Sequence, residues 1–327
     1  MFCLMIILST SIPGYQDSLA YNTHSISCSN AFTIPGVKLK DHTLFSYQDF
    51  YYLAAIRIEL SATEVHGPGY EDTFAYARTL DFCTWENLGT VLNIGLPGDA
   101  DETAIWAPHV IQEDETFYMF YTGVNRHIAQ SIMLATSHDP SDLQSWVKHG
   151  VVFRPHHEGM VYPGPDNWAD ARDPMVFRYD DRYYMYYTGL DTSGGIIGVA
   201  MADSLTGPWV DLGATLHTGV VIPESPFVVT YQTYFYLFYH ATSPGESREV
   251  WRWAPSPFGP WQSIHLLQTG WAHDFYLSAD TWYMSYLIGN GEAIKVVPLN
   301  WNHNTSPPRP QIDHHTFLPI IVNSFTN

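Results

Sequence analysis

Three acidic residues, Asp41, Asp173 and Glu224, stand at related positions relative to a recurring aromatic motif. Asp41 and Asp173 each lie eleven residues before the tyrosine at the third position of one motif copy, and Glu224 lies twelve residues before it. A carboxyl group kept protonated by burial or by a neighbouring like charge can donate a proton, whereas an ionised carboxylate can remove one from water. These three residues are therefore our candidates for acid–base catalysis.

The aromatic motif recurs five times, and its period indicates the fold. Successive copies are 66, 66, 52 and 47 residues apart. A period of about 50 residues is typical of a propeller blade, which needs about four short strands with their turns. A generic β-sandwich would not repeat a whole unit of this length. The five copies are Phe50–Leu53, Thr116–Met119, Arg182–Met185, Tyr234–Leu237 and Thr281–Met284.

The sequence therefore predicts an all-β chain with a five-bladed β-propeller over residues 31–302. In a propeller the first strand of each blade lines the central axis, so matching positions of the five first strands form a ring at one mouth of a funnel. An isolated acid before a strand is ordinarily a turn residue, but the shared register groups the three candidates in this ring. The ring positions are Lys40–Asp41, Trp106–Ala107, Arg172–Asp173, Glu224–Ser225 and Trp271–Ala272.

Composition limits the class of partner. The formal net charge is -19, from 33 acidic and 14 basic residues, and so acidic a surface repels nucleic acids and anionic membranes. Beyond the N-terminus, no apolar run approaches the roughly 18 residues that a membrane span needs. Aromatic residues form 15% of the chain and supply flat apolar faces that suit sugar rings, although most belong to the core. This composition favours a neutral substrate, and we expect a monomer.

The two ends of the chain lie outside the predicted propeller. Residues 1–20 resemble a degenerate secretory signal, with an apolar run and a small-residue site at 18–20, although no basic residue precedes Lys38. A secreted or periplasmic location is the expectation, and Cys28 and Cys83 then either pair or remain free thiols. Residues 303–327 include an apolar stretch that closes the ring, packs outside it or forms a tail, and the sequence leaves these three open.

Four short motifs in blade register resemble glycoside hydrolase family 43 and its relatives. These are arabinanase, xylosidase and arabinofuranosidase-type five-bladed propellers, which are related to the invertase and levansucrase families. The resemblance covers roughly Lys38 to Trp301, and its Arg-Asp-Pro and Glu-x-Pro elements are moderately specific together. The motifs are Asp41–Phe45, Trp106–His109, Ala171–Pro174 and Glu224–Phe227.

The resemblance implies a role for each matching acid. Asp41 matches the general base, Asp173 the aspartate that supports the transition state and tunes the acid, and Glu224 the general acid. The implied enzyme is a glycosidase, whose transition state is oxocarbenium-like. Carboxyl groups about 6.5–9.5 Å apart give inversion, and about 5–5.5 Å gives retention. We expect an inverting glycosidase acting on neutral, pentose-containing glycans.

Other residues around the predicted funnel are candidates for substrate binding. Trp106 and His109 match a substrate-contacting element, and Arg172 is placed to hold Asp173 ionised. His273 sits where the family often has a histidine near a central ion or water cluster. The resemblance thus implies a structural Ca²⁺ or Na⁺ held through water near His273, and no cofactor that the reaction requires. Direct metal binding is not expected, because no close Cys/His pairs have ligand spacing. Further candidates for stacking on a sugar are Trp168 and Trp271.

The chain departs from the family pattern at one of its three acids, Asp41, and alternatives follow. Asp41 is followed by His42 where the family commonly has proline, so its match depends on register more than on motif. A non-catalytic sugar-binding propeller is the main alternative, and a transferase or phosphorylase from a related family is another. The chain lacks the Trp-Met-Asn-Asp-Pro-Asn signature of invertases, and Glu224 is not followed by Cys. These differences disfavour a retaining fructan enzyme.

Overall fold

Five four-stranded antiparallel sheets make up most of the part of the chain that the structure describes. The computed structural model describes residues 25–26, 31–160, 171–219, 221–312 and 318–319. Within each sheet the strands follow one another in chain order. Outside the sheets, β1 (Ser25–Ile26) pairs with β22 (Leu318–Pro319).

The first two blades are built from eight strands joined in sequence. They are β2 (Val37–Tyr47), β3 (Phe50–Glu59), β4 (Tyr70–Thr79) and β5 (Trp85–Asn93), then β6 (Ala104–Glu113), β7 (Thr116–Val124), β8 (Ser131–Ser137) and β9 (Val147–Phe153). The third blade contains β10 (Arg172–Tyr179), β11 (Arg182–Asp191), β12 (Gly194–Ala202) and β13 (Val210–Gly219). The fourth contains β14 (Ile222–Tyr231), β15 (Tyr234–Ser243), β16 (Glu246–Ala254) and β17 (His265–Leu266). The fifth contains β18 (Trp271–Ser278), β19 (Thr281–Ile288), β20 (Ala293–Asn302) and β21 (Arg309–Ile312).

The first strands of the five blades close into a ring. Strand β2 contacts β6, β6 contacts β10, β10 contacts β14, β14 contacts β18, and β18 returns to β2. Each of these strands is an edge of its own sheet, so the five edges surround one axis. The prediction of an all-β five-bladed β-propeller is confirmed, and the described residues include no helix.

The recurring aromatic motif forms the second strand of every blade, and tyrosines tie neighbouring blades together. Tyr236, at the third motif position in β15, is fully buried, and its hydroxyl donates to the carbonyl of Pro308 at 2.6 Å. The buried Tyr76 of the first blade likewise donates to the carbonyl of Pro140 in the second blade at 3.0 Å. A buried phenol needs a hydrogen-bond partner, so these contacts help to hold one blade against the next.

Both ends of the chain contribute to the outer edge of the fifth blade. Phe32 exchanges two backbone hydrogen bonds with Ile294 of β20, at 2.8 and 3.0 Å. Strand β21 pairs with the remainder of β20, so the fifth blade extends past residue 302 to Ile312. Residues before and after the other four blades thus meet on one strand, which joins the two ends of the ring.

The predictions of a signal segment and of a Cys28–Cys83 pair concern residues that the structure describes only in part. Cys83 is disulfide-bonded, whereas Cys28 and the segment 1–20 lie outside the described residues. In the part of the chain that the structure describes, no helix has the length and apolar character needed to cross a membrane.

Candidate active site

A β-bulge recurs at the same place in the first strand of all five blades. The pairing between first and second strand shifts at 39/42, 106/109, 172/175, 224/227 and 271/274. A bulge adds a residue to one strand and re-aims its side chains. Four ring residues adopt the left-handed conformation that non-glycine residues seldom accept, and this strain is common at functional sites. They are Ala107 (φ 43°), Asp173 (φ 57°), Ser225 (φ 50°) and Ala272 (φ 52°).

The bulges surround a cavity of about 420 Å³ at one mouth of the axis. All three predicted carboxylates, Asp41, Asp173 and Glu224, line it. Of the predicted substrate-binding residues, Trp106 and Arg172 line it as well. The tertiary structure therefore brings these five residues together from four blades. The other residues that line the cavity are Lys40, Ile56, Ser225, His240, Trp271 and Ala272.

Ser225 links two of the three carboxylates. Its hydroxyl donates to Oδ1 of Asp41, and its backbone N–H donates to Oδ2 of Asp173 at 2.9 Å. Thr188 Oγ1 donates to the same Oδ2 at 3.2 Å. Because Ser225 directly follows Glu224, one short segment of β14 joins all three acids in one site. Register had already placed Ser225 in the ring, but its role as a bridge was not predicted.

Arg172 lies between Asp173 and Glu224. Its Nη2 donates to Oε1 of Glu224 at 2.7 Å, and its Nε lies 3.4 Å from Oδ2 of Asp173. Thr242 Oγ1 donates to the second oxygen of Glu224 at 3.2 Å. The guanidinium therefore places one positive charge against both carboxylates. The expected contact between Arg172 and Asp173 is present, and a shorter contact to Glu224 accompanies it.

Asp173 is the most perturbed of the three acids. Its side chain is 8% exposed. Burial raises the pKa of Asp173 to about 6, Arg172 opposes this rise, and the charges of Asp41 and Glu224 add to it. We expected Asp173 to remain charged, and this value restricts that state to pH above about 6. A carboxyl that titrates near its working pH is typical of active sites.

Glu71 is a buried carboxylate that the sequence analysis did not identify, and it holds Trp106 in the wall of the funnel. Glu71 accepts hydrogen bonds from Trp106 Nε1 at 2.6 Å and from Lys40 Nζ at 2.8 Å, and His66 Nδ1 lies 3.3 Å away. Although burial raises the pKa of Glu71, the bond with His66 and the charge of Lys40 lower it overall. Glu71 lies on β4, outside the repeat positions used as a ruler, so only the fold shows its connection to Trp106.

Two predicted substrate-binding residues, His109 and His273, lie below the main cavity. Together with Asp41, Asp173 and residues next to the bulges, they line a second cavity of about 30 Å³ on the axis. The ring of His109 is buried and its Nε2 lies 2.9 Å from the carbonyl of Val176, and burial lowers the pKa of His109 to about 4. The nitrogens of His273 contact Glu249 at 2.9 Å and Thr269 at 2.6 Å. Neither side chain reaches the 420 Å³ funnel cavity.

The side chains around His273 bear only on a directly bound ion. Both imidazole nitrogens of His273 have protein partners, and a cavity of about 30 Å³ holds about one water. Within the described ranges, no group of three or more His, Cys, Asp or Glu side chains is placed to hold a metal. The residues present do not fit a directly bound cation, and a water-held Ca²⁺ or Na⁺ stays a prediction. Trp168, a predicted stacking residue, lies outside the described residues.

Known proteins similar to this chain come from glycoside hydrolase families. Residues 62–217 match the Glycosyl hydrolases family 32 N-terminal domain, a range that includes Asp173 but neither Asp41 nor Glu224. The probable arabinan endo-1,5-α-L-arabinosidase D of Emericella nidulans is 26% identical over 185 residues, which cover 54% of this chain and 43% of that protein. The chain thus spans about two fifths of the length of this curated relative.

Solved structures with the same fold include two related to the predicted family. A thermostable family-43 glycoside hydrolase superposes with a TM-score of 0.62 at 18% identity, covering 88% of this chain and 97% of that chain. The Cellvibrio cellulosa α-L-arabinanase complexed with arabinohexaose gives 0.62 at 14% identity, covering 86% and 96%. The predicted resemblance is confirmed. Fold and site together define a five-bladed propeller similar to those of glycoside hydrolase families 43 and 32.

Proposed function

We propose that this protein is a glycoside hydrolase that cleaves neutral, pentose-containing glycans. The observation that carries the proposal is the convergence of Asp41, Asp173 and Glu224 on one cavity of about 420 Å³, on a fold similar to that of family 43. Glycoside hydrolysis needs two carboxyl groups on opposite sides of the scissile bond. A non-catalytic sugar-binding propeller would have no need of three acids brought together in one cavity.

Each acid has surroundings that suit a different task. Glu224 has a side chain 37% exposed at the funnel mouth, where a leaving group can accept its proton. Asp41 is held by the Ser225 hydroxyl, which leaves its second oxygen for a water molecule. Asp173 is buried between them and, above a pH of about 6, supplies negative charge beneath an oxocarbenium-like sugar. We therefore assign Asp41 as general base, Asp173 as transition-state stabiliser and Glu224 as general acid.

Arabinan linked through α-1,5 bonds is the proposed first substrate class. The curated relative is named for arabinan endo-1,5-α-L-arabinosidase, and the Cellvibrio structure holds arabinohexaose. The lysine and the arginine that line the funnel are both committed to carboxylates, Lys40 to Glu71 and Arg172 to Glu224. Such a lining favours a neutral sugar over a phosphorylated one and disfavours a phosphorylase.

Inversion and an oxidising location complete the proposal. Inversion follows from the family resemblance, and proton NMR of the first product anomer tests it, because a retaining enzyme releases the other anomer first.

The disulfide at Cys83 supports a secreted or periplasmic location, since such bonds persist in oxidising compartments. Thiol labelling of the denatured, unreduced protein checks this: a reactive Cys83 contradicts the location.

The decisive experiment measures hydrolysis of linear arabinan and short arabino-oligosaccharides by the full chain. We expect Asp41→Asn and Glu224→Gln each to lower turnover by about 10²–10⁴-fold, the usual contribution of a general acid or base. Asp114→Asn, an exposed acid in the β6–β7 turn, is the matched control and should leave turnover unchanged. If both site variants retain wild-type turnover while circular dichroism shows them folded, the assignment is wrong.

One observation favours testing a second substrate class. The family 32 match covers residues 62–217, and invertase-related enzymes act on fructosides. Against it, the matched range omits two of the three acids and the chain lacks the invertase signature. Sucrose and inulin therefore belong in the same panel, and cleavage of either in preference to arabinan would favour a fructan enzyme. Binding to glycans with no cleavage of any would favour the non-catalytic alternative.

A further inference from the structure

A series of polar side chains leads away from Glu224 along the β15–β16 hairpin. Thr242 Oγ1 donates to Oε2 of Glu224 at 3.2 Å. Thr242 and Ser247 are directly opposite each other in the hairpin. Ser247 Oγ lies 2.6 Å from His240 Nε2, and Glu249 Oε1 lies 2.5 Å from His240 Nδ1. Three of the four links are therefore hydrogen bonds.

The remaining link joins the hydroxyls of Thr242 and Ser247. Directly opposite residues of an antiparallel pair have Cβ atoms about 4.5–5.5 Å apart on the same face. The structure gives no direct hydrogen bond between these two hydroxyls, and one water can bridge two short hydroxyl side chains at that separation. With His240 protonated, every donor in the series can point towards Glu224, because imidazolium nitrogens only donate and the glutamate only accepts.

Glu249 keeps the far end of the series positively charged. Its side chain is 5% exposed, and its second oxygen lies 2.9 Å from His273 Nδ1. Burial raises the pKa of Glu249, but the charge of His273 and the bond from His240 lower it to about 2. Burial likewise lowers the pKa of His240, yet the hydrogen bond and charge of Glu249 raise it overall. The charges of Glu224 on β14 and Asp41 on β2 act on His240 in the same direction.

Glu224 needs such a proton source. When the funnel is empty, both of its oxygens accept hydrogen bonds, Oε1 from Arg172 Nη2 of β10 at 2.7 Å and Oε2 from Thr242 Oγ1 at 3.2 Å. A general acid must nevertheless carry a proton when the leaving group departs. Once a glycan fills the funnel, bulk water has less access to Glu224, whereas Ser247 on the hairpin is exposed and does not line the cavity.

Resting on the proposed function, we propose that His240 is a positioning residue that stores a proton for Glu224 and delivers it through Ser247 and Thr242. In this step His240 Nε2 releases its proton to Ser247 Oγ, Ser247 passes its own to a bridging water, the water passes one of its protons to Thr242, and Thr242 passes its own to Glu224 Oε2. One proton moves in total, which leaves a neutral imidazole and a neutral carboxylic acid. Glu224 then protonates the leaving oxygen, and His240 regains a proton from solvent after product release.

A spectator cation would have the opposite effect on the pH profile. If His240 only contributed charge, its removal would make Glu224 easier to protonate and would move the basic limb of kcat/KM to higher pH. If His240 stores the proton, its removal moves that limb to lower pH, because Glu224 then has no second group from which to take a proton. The direction of the shift distinguishes the two.

The test compares His240→Gln and Ser247→Ala on two substrates. On an arabino-oligosaccharide we expect both variants to move the basic limb down by about one pH unit, a tenfold loss of kcat above it, with KM unchanged. On a nitrophenyl pentoside, whose leaving group needs no proton, we expect less than a twofold change. His149→Gln is the matched control, because His149 Nε2 lies 2.6 Å from Thr136 Oγ1 in an exposed pair away from the funnel.

Three results overturn the proposal: a basic limb that moves up or stays in His240→Gln, wild-type behaviour of Ser247→Ala, or equal losses on both substrates. If the wild type cleaves no glycan, the proposed function fails separately. NMR titration of His240 then decides the proton store in the same protein. A His240 still protonated at pH 6.5 in the wild type supports it, and a His240 neutral at that pH overturns it.

Discussion

The two mouths of the propeller axis lie at opposite ends of the same five first strands, have cavities of similar volume and differ in the side chains that line them. The cavity at the bulged end measures about 420 Å³, and the cavity at the opposite end about 410 Å³. Acids, a lysine, an arginine and two tryptophans line the first. Rings and aliphatic side chains dominate the second, among them Phe45, Phe117, Phe177, Phe227, Phe275 and Trp282.

The bulge accounts for the difference. On one side of it the first strands carry groups that are held by ion pairs and hydrogen bonds, such as Arg172 with Glu224 and Ser225 with Asp173. On the other side the strands pair regularly, and the aromatic rings pack with one another, as Phe227 and Phe275 do at 5.1 Å between ring centres. Variants at the bulged mouth should therefore affect turnover, and variants at the opposite mouth should affect stability.

The largest effect is expected from Asp173→Asn at the bulged mouth. Asparagine keeps an acceptor for the Ser225 N–H but loses the negative charge beneath the transition state. We expect kcat/KM on an arabino-oligosaccharide to fall about 10³-fold, near 4 kcal/mol in transition-state stabilisation. Urea unfolding should show undiminished stability at pH 7. A variant that loses activity only because it unfolds would contradict the separation of roles.

The next effect is expected from Phe45→Ala on the opposite side of the bulge. Phe45 is 4% exposed and packs against Tyr52, Phe117 and Trp146. Truncating a buried phenylalanine leaves a cavity, so the free energy of unfolding should fall by about 3–5 kcal/mol in urea titrations. Leu277→Ala, at the same mouth but 47% exposed, is the control and should cost under about 1 kcal/mol. Comparable losses in both variants would mean that this end does not stabilise the fold.

The third prediction concerns the pH dependence of stability at Asp173, a residue that we also expect to affect turnover. The pKa of Asp173 rises from its ordinary 3.8 to about 6, so between these values the folded state binds more protons than the unfolded state. Stability from this residue is thus lost as pH rises from about 4 to about 6, and one pKa unit corresponds to about 1.4 kcal/mol, or about 3 kcal/mol in all. Thermal unfolding of wild type and Asp173→Asn should therefore diverge over this window, in favour of the variant at the higher pH.

Glu249 provides the internal check on this window. Its pKa is lowered to about 2, so its stabilisation is lost only as pH falls below about 4, in both proteins alike. Subtracting the two stability curves removes that contribution. A difference curve that stays flat between pH 4 and 6 would show that Asp173 is not perturbed by its burial.

The smallest effect is expected from Glu71→Gln, which changes the carboxylate that holds Trp106 and Lys40. Glutamine can still accept from Trp106 but loses the ion pair with Lys40. We expect KM for an arabino-oligosaccharide to rise about fivefold, about 1 kcal/mol, with kcat unchanged, because the net contribution of a typical hydrogen bond is about this large. Glu86→Gln, which breaks the exposed pair with Arg78, is the control. A lower kcat with unchanged KM would place Glu71 in the chemistry rather than in binding.

Several site residues were predictable because the repeat supplied a register. Counting back from the motif tyrosine placed Asp41, Asp173 and the segment Glu224–Ser225 in one ring, and the structure brings them to one cavity. His109 and His273 were placed near the axis in the same way, but they lie below the funnel. Register gives the angle around the axis, whereas depth along it depends on how the bulge re-aims each side chain.

Other residues carried no signal in the repeat. Glu71 on β4, His240 on β15 and Glu249 on β16 reach the site from second and third strands, through cross-strand neighbours and folded loops. No spacing rule identifies a buried carboxylate of this kind, since its partners come from other blades or from opposite positions in a hairpin. Only the packed structure reveals which charge each one neutralises.

By itself the sequence determined the blades, because a period near 47–66 residues and alternating apolar positions leave a ring of antiparallel sheets as the way to bury every aromatic strand. It also determined which acids share a ring position. The tertiary structure decided which side chains face one another across the axis, and hence that Ser225 bridges Asp41 and Asp173 and that Arg172 pairs with Glu224. Hydrogen bonds and charge interactions act over a few ångströms, and distances that short exist only after the five blades have packed.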